Sequence, residues 1–345
     1  MFSSHLDKLL RRQDLTSDEA AAAMDDIIEA RVKPAQVAAL LVSLALKGER
    51  PSEIVGFART MRARAVQLER VPPSVIDLCG TGGDRSGTFN ISSAASIVAA
   101  ACGVPVAKHG NRSVSSRCGS ADVFEALGVK VAASPSVVER CLHEVGLAFL
   151  FAPTFHPSMR NVAEVRRDLG IRTAFNMLGP LTNPAGPSRQ IVGVPRPELT
   201  ELIARSLGLL GSERAWVVHG ADGLDEISTT GYTKVSECRA GAVNTFYVHP
   251  AEVGLPKASL SSLLGGERGV NADIVRRVLA GEHSPARDIV VLNAGAALFI
   301  AGHVATIRQG IVEAEAAIDS GAARRTLDRL VAVSNEADPG PSMHV

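Results

Sequence analysis

From residue 75 onward, short apolar runs alternate with alanine-rich stretches of helical period, and this alternation narrows the possible fold more than any other feature of the chain. The runs occupy 75–78, 104–107, 147–151, 190–194, 215–218 and 242–248. Strands separated by helices build an α/β domain around a mainly parallel sheet. Residues 1–72 read instead as short helices. Thr16 and Glu19 have the spacing of a capping box, Pro34 suits a first helical position, and Gly48 suits a helix end. Val37, Leu40, Leu41, Leu44 and Ala45 make one apolar stripe between them. The expected organisation is a smaller all-helical N-terminal domain over 1–72, an α/β domain over 73–333, and a flexible charged tail over 334–345. Segment 178–186 is rich in helix breakers and suits a linker, with helices from about 160–186 joining the helical unit.

Glycines and short polar side chains gather in two clusters. The run at 75–78 stops at Gly80, and glycines 80, 82, 83 and 87 let the backbone take positive φ and let a ligand approach closely. A helical stretch follows Asn90, so a helix N-terminus with free N–H groups lies beside the glycine turn, which is an anion site. A dinucleotide fingerprint starting at Gly80 needs glycine where Arg85 stands, and a Walker loop starting at Gly82 needs lysine and a hydroxyl where Thr88 and Phe89 stand. The second cluster, Lys108-His-Gly-Asn-Arg112, follows the run at 104–107 and adds cations, with hydroxyls at Ser113, Ser115, Ser116 and Ser120. In an open parallel sheet both clusters point to one crevice at the carboxyl ends of the strands. Asp225 and Glu226 follow another apolar run, and a charged turn is the alternative to a metal site there.

The segments Gly80-Thr-Gly-Gly-Asp84, Asn90-Ile-Ser-Ser93, Lys108-His-Gly-Asn-Arg112, Val165-Arg-Arg167, Leu169-Gly-Ile-Arg-Thr173 and Gly223-Leu-Asp-Glu-Ile-Ser228 resemble those of the anthranilate phosphoribosyltransferase family, in order along most of the chain. The resemblance implies a nucleoside phosphorylase/phosphoribosyltransferase-like fold with a hinge between its domains. It implies transfer of phosphoribose from 5-phosphoribosyl 1-pyrophosphate (PRPP) to anthranilate in tryptophan biosynthesis, and a homodimer formed through the helical domain. PRPP would be bound by Gly80, Gly83, Asp84, Thr88, Asn90, Ile91, Ser92, Ser93, Lys108, His109, Gly110, Asn111, Arg112, Ser113, Val114, Ser115, Ser116 and Ser120. Anthranilate would meet Gly80, Asn111 and Arg166, with His109, His156 and Met159 lining its access path. Two Mg2+ ions would be held, one by Ser92 and one by Asp225 with Glu226, since magnesium keeps few protein ligands beside substrate phosphates and water. No residue is forced into a general-base role.

A guanidinium suits the anthranilate carboxylate through paired donors, and Arg160, Arg167 and Arg172 are neighbouring alternatives to Arg166. Departures from the family's usual spelling, at Ser93, Cys118, Ser158 and Met177, nearly conserve size. Pyrimidine nucleoside phosphorylases share the glycine turn and the Lys-His pattern, but Asp225-Glu226 and the Val165-Arg-Arg167 segment favour the transferase. A nucleic-acid-binding relative would need a basic surface, whereas 36 basic side chains balance 36 acidic ones. The longest apolar stretch, near 37–46, is too short to span a bilayer, and charges interrupt any secretory signal near the N-terminus, so a cytoplasmic protein is expected. Five cysteines without metal spacing are expected to be reduced and structural.

Overall fold

The computed structural model describes residues 2–113 and 117–338. It opens with α1 (Phe2–Leu10), α2 (Ser17–Ile28), α3 (Pro34–Lys47) and α4 (Pro51–Ala63). The Thr16–Glu19 capping box forms in both directions, so α2 begins where the sequence signals. Val37, Leu40, Leu41 and Leu44 are buried as the stripe requires, but Ala45 is exposed, beside a Leu46 that is 79% exposed.

The chain then alternates β1 (Ile76–Gly80), α5 (Ile91–Ala101), β2 (Val106–Gly110), α6 (Ser120–Ala126), α7 (Pro135–Glu144) and β3 (Leu147–Phe151). Short α8 (Ala152–Phe155), α9 (Arg160–Leu169) and α10 (Phe175–Leu178) make an excursion back to the helical unit. The chain re-enters the sheet with β4 (Arg189–Gly193), α11 (Leu199–Leu209) and β5 (Arg214–Gly220), followed by the hairpin β6 (Thr233–Arg239) and β7 (Ala242–Val248). Helices α12 (Arg268–Leu279), α13 (Pro285–Ala301), α14 (Ile307–Asp319) and α15 (Ala322–Asn335) complete it.

The sheet runs β3-β2-β1-β4-β5-β6-β7, parallel up to β5 and antiparallel beyond. Strand order reverses between β1 and β4, the crevice where open α/β sheets bind ligands. One sheet face is covered by α5 and α13, whose Ile97, Val98, Ala294 and Leu298 are fully buried. Across the other face, Val192 and Val217 pack with Ile203 and Leu207 of α11 in an apolar cluster that continues into Ile54 and Phe57 of α4. The helical unit therefore shares its core with the sheet.

The structure corrects several sequence expectations. β6 lies in a stretch that gave no strand signal, because Thr233-Lys-Val-Ser-Glu-Cys-Arg239 carries polar and charged side chains along a strand paired on both sides. The tail does not begin at 334: α15 runs to Asn335, and Ser334 is buried and accepts from Lys130 N at 3.1 Å. Glu336 pairs with Arg140, and Asp338 accepts from Ser136 Oγ at 2.7 Å. Segment 178–186 is not a loose linker either. Leu181, Thr182 and Asn183 are buried, and Asn183 Nδ2 donates to Asp77 Oδ2 and to Ala107 O, each at 2.8 Å.

Candidate active site at the sheet's reversal point

Gly80 and Gly193 close β1 and β4 in register with each other. A Cβ on Gly80 would lie 2.6 Å from Asp225 Oδ2, and one on Gly193 would lie 1.6 Å from Asp225 O. No other residue leaves room for Asp225 to lie across both strand ends. Thr81 N donates to Gly193 O at 2.9 Å, which starts the turn. Gly82 and Gly83, at φ 65° and 84°, carry it through left-handed backbone. The loop is then pinned from outside, because Phe89 N donates to Leu263 O at 3.1 Å and Gly265 N to Gly87 O at 2.8 Å. Asn271 Nδ2 donates to Asn90 Oδ1 at 2.9 Å, while Asn90 Nδ2 donates to Cys118 O at 3.2 Å. Asn90 thus ties the loop to α12 and to the segment before α6, and does not cap α5 with its side chain. Gly193 and Asn271 carried no sequence signal, since their roles depend on partners far along the chain.

At the start of α5, Ser92 N donates to Glu226 Oε1 at 3.0 Å, so one N–H of the expected anion cradle already faces a carboxylate. Ile91 and Ser93 are buried just behind it, and Ser93 Oγ has no protein partner. β2 runs beyond the apolar run at 104–107 to Gly110, so Lys108 lies within the strand and is 2% exposed. Its Nζ donates to Leu78 O and, at 3.2 Å, to Ser92 Oγ, fastening β1 and α5 from below. Asp77, fully buried beside it, accepts from His109 N at 3.3 Å as well as from Asn183, and burial pushes its carboxyl up.

Asp225 and Glu226 keep one edge toward the cleft and are otherwise walled in by protein. Burial pushes Glu226 up to about 7 despite Lys108. Asp225 is driven upward by burial and by the charges of Asp84 and Glu226. No Lys or Arg among the described residues forms an ion pair with Asp84, Asp225 or Glu226. Such crowded, under-neutralised carboxylates raise one another's pKa and fit a cation. Among the described residues no three His, Cys, Asp or Glu side chains group into a closed metal site. An ion here would complete its shell with oxygens from ligand and water, as magnesium does.

On the excursion, Arg166 is half-buried with its guanidinium 5.4 Å from the Phe175 ring centroid. It has no carboxylate partner among the described residues, and burial lowers its pKa. Arg160 and Arg167 are exposed, and Arg167 faces only Asp168, at 3.9 Å. His109 and His156 stack obliquely, with centroids 5.3 Å apart; His109 Nδ1 meets Gly179 O at 3.0 Å, and both Nε2 atoms are buried without protein partners. Burial and the neighbouring His156 push His109 down to about 3, so it is neutral.

Other expected donor-site residues lie at the rim. Asp84 accepts from Ser86 Oγ at 2.5 Å, and Thr88 bridges to Leu264. Asn111 Oδ1 accepts from Arg112 N at 2.7 Å, Ser113 N donates to Asp122 at 3.1 Å, and Ser120 Oγ donates to Asn111 O at 3.4 Å. Gly110 sits so close to Ser120 Oγ that a Cβ would lie 2.2 Å from it. Arg112 turns toward α6, forming a two-armed contact with Glu125 at 2.9 Å on each arm. Val114, Ser115 and Ser116 lie outside the described residues.

A helical module packed on a mostly parallel sheet, with a glycine turn and a half-buried acidic pair at the reversal point, defines a glycosyl-transferring class. The glycosyl transferase family's helical bundle domain matches residues 3–65 and its a/b domain matches residues 72–324. The anthranilate phosphoribosyltransferase of Moorella thermoacetica is 55% identical, covering 96% of this chain and 98% of its own. That of Thermus thermophilus superposes with a TM-score of 0.90 at 44% identity, covering 96% of this chain and 99% of its own. The Saccharomyces cerevisiae enzyme in complex with PRPP and Mg superposes with a TM-score of 0.88 at 29% identity, over 96% and 97%. This chain belongs to the anthranilate phosphoribosyltransferase family.

Proposed function

We infer that the protein transfers the phosphoribosyl group of PRPP to the amine of anthranilate, giving N-(5-phosphoribosyl)anthranilate and pyrophosphate in tryptophan biosynthesis. The observation that carries this reading is the acidic pair Asp225–Glu226, half-buried against the ends of β1 and β4 and in no ion pair with a Lys or Arg among the described residues. Mg2+ suits this donor set: Asp225 and Glu226 would hold one ion and Ser92 Oγ a second, and such ions would supply neutralising charge for the departing pyrophosphate. Relatives in the family bear on the same chemistry, as Saccharomyces cerevisiae structures hold PRPP with Mg and 4-fluoroanthranilate.

The chain's own part is binding and orientation. The turn at 80–84 and the α5 N-terminus offer backbone N–H groups to phosphate oxygens. Lys108 keeps β1 and α5 in fixed relation through Leu78 O and Ser92 Oγ. Arg166, braced on Phe175 and held by no carboxylate among the described residues, receives the anthranilate carboxylate. The neutral His109–His156 pair and Met159 line the acceptor's path without adding charge. The amine nitrogen then bonds the ribose C1 as the bond from C1 to the pyrophosphate oxygen breaks; pyrophosphate leaves with the electron pair, and the surplus proton on the nitrogen passes to pyrophosphate or water. The ribose centre carries oxocarbenium character, so positioning and charge stabilisation supply the acceleration without a dedicated base.

Mixing the protein with PRPP, magnesium and anthranilate should quench anthranilate fluorescence as pyrophosphate appears in equal amount. Absence of anthranilate-dependent pyrophosphate would overturn the reading, and phosphate with thymidine in its place tests the phosphorylase alternative. No described helix is long and apolar enough to cross a membrane. A cytoplasmic location is proposed on the sequence grounds given above. A homodimer through the helical unit is proposed on the family resemblance, and Leu10 and Leu46, 73% and 79% exposed on α1 and α3, are apolar side chains that unit leaves uncovered. Sedimentation as a monomer at micromolar concentration would exclude it.

A further inference from the structure

Arg172 is the arginine of the excursion whose side chain reaches the glycine turn. A Cβ on Gly83 would lie 1.6 Å from Arg172 Nη1 and 2.8 Å from its Cζ, so the guanidinium rests directly on bare glycine backbone. Its hydrogen bond to Thr81 O is 3.4 Å long, at the weak end of the range. Arg172 forms no ion pair among the described residues, although Asp225 and Asp84 are close enough to favour its charge and Arg196 and Arg85 to oppose it. The contact is therefore adjustable: a cation parked over a phosphate turn, with acids nearby but none gripping it.

Arg172 leads into a packed turn. Gly170 ends α9 with φ 61°, and Thr173, Ala174 and Phe175 are buried. Thr173 N donates to Asn176 Oδ1 and Asn176 N to Thr173 O, each at 2.9 Å. Phe175 is the ring on which Arg166 lies. The chain thus runs from the donor turn at Thr81–Gly83, through Arg172 and the braced turn at Thr173–Asn176, to the guanidinium that receives the acceptor.

We propose that Arg172 is a positioning residue that couples the two substrate sites, so that an anionic diphosphate on the glycine turn draws its guanidinium in and sets Arg166 for the acceptor's carboxylate. The inference rests on the transferase reading above. A charge-assisted contact with diphosphate is stronger than the present bond to a carbonyl, which supplies the differential interaction a shift requires. By linkage, each ligand then tightens the other by the same factor.

The test is equilibrium binding without turnover. Anthranilate is titrated by its own fluorescence in magnesium alone and in magnesium with saturating pyrophosphate. In the unaltered protein pyrophosphate should tighten anthranilate about fivefold or more. Arg172→Ala should bring that ratio to about 1 with its melting temperature unchanged, Arg172→Lys should restore part of it, and Arg167→Ala should leave it intact. A full ratio in Arg172→Ala, or a ratio of about 1 in the unaltered protein, would overturn the coupling. So would an equal loss of anthranilate affinity in both conditions, which would make Arg172 a plain ligand contact. Should Arg172→Ala melt early, the Lys variant decides alone, with an unchanged ratio and melting point counting against the proposal. Failure of the unaltered protein to bind anthranilate at all overturns the transferase reading itself and the coupling with it.

Discussion

The helical unit and the strand ends at the sheet's reversal point each enclose carboxylates, and they treat them in opposite ways. Glu53, fully buried in α4, accepts from Leu15 N at 2.9 Å, from Arg50 N at 2.8 Å and from Lys47 Nζ at 3.1 Å. Every oxygen has a donor, so the group joins α4 to the segment before α2 and to the end of α3. Asp225 and Glu226 repel each other and Asp84; against this stand backbone N–H groups at Gly82 and Ser92, the Ser92 hydroxyl and the charge of Lys108, with no ion pair among the described residues. Partnered buried charge holds architecture together, and under-partnered buried charge waits for a ligand.

Removing the acids on each side separates these roles. Asp225→Asn with Glu226→Gln should lower turnover about a thousandfold or more, as loss of focused transition-state stabilisation does, and should flatten its dependence on magnesium. The same change should keep or raise the melting temperature, because it removes repelling charges. An unaltered magnesium dependence in steady-state pyrophosphate release would refute the metal assignment. Glu53→Ala should do the reverse, costing about 3 kcal/mol of stability in denaturant unfolding while the folded fraction keeps its turnover. Arg166→Ala should raise the anthranilate KM about tenfold to a hundredfold with the PRPP KM little changed. Arg167→Ala, on the same helix, should change neither constant beyond about twofold.

The smallest effect concerns acid. His109 is neutral because its folded-state pKa, about 3, lies below the ordinary 6.5. A depressed histidine binds fewer protons folded than unfolded, so its contribution is complete above about pH 6.5 and is lost as pH falls toward about 3. Melting temperatures of His109→Gln and the parent should therefore converge as pH is lowered through that window. A constant gap would show that the imidazole does not titrate as its burial implies.

Much of this arrangement was legible in the sequence, for local reasons. Strands β1 to β5 were announced by apolar runs, since buried parallel strands need them, and Thr16 and Glu19 marked a helix start because a cap is a matter of four residues. Gly80, Ser92, Lys108, Asp225 and Glu226 do meet around one crevice. What escaped depends on distant partners. β6 is polar because neighbouring strands satisfy its backbone whatever its side chains are. Asn271 supports Asn90 from 181 residues away, and Gly193 is needed only because Asp225 lies over it. The contact that holds Arg112, Glu125 at 2.9 Å on each arm, likewise had no signal in the sequence around Arg112.

The register of Gly80 with Gly193 has a bearing on redesign. The two strand ends form a socket whose depth is set by the absence of a single carbon on each, and Asp225 fills it with main chain as well as side chain. Variation intended to admit a different acceptor amine therefore belongs on the excursion around Arg166 and Phe175, where side chains meet side chains. At the socket even alanine would unseat the acid, and a library randomised there would sample mostly dead protein.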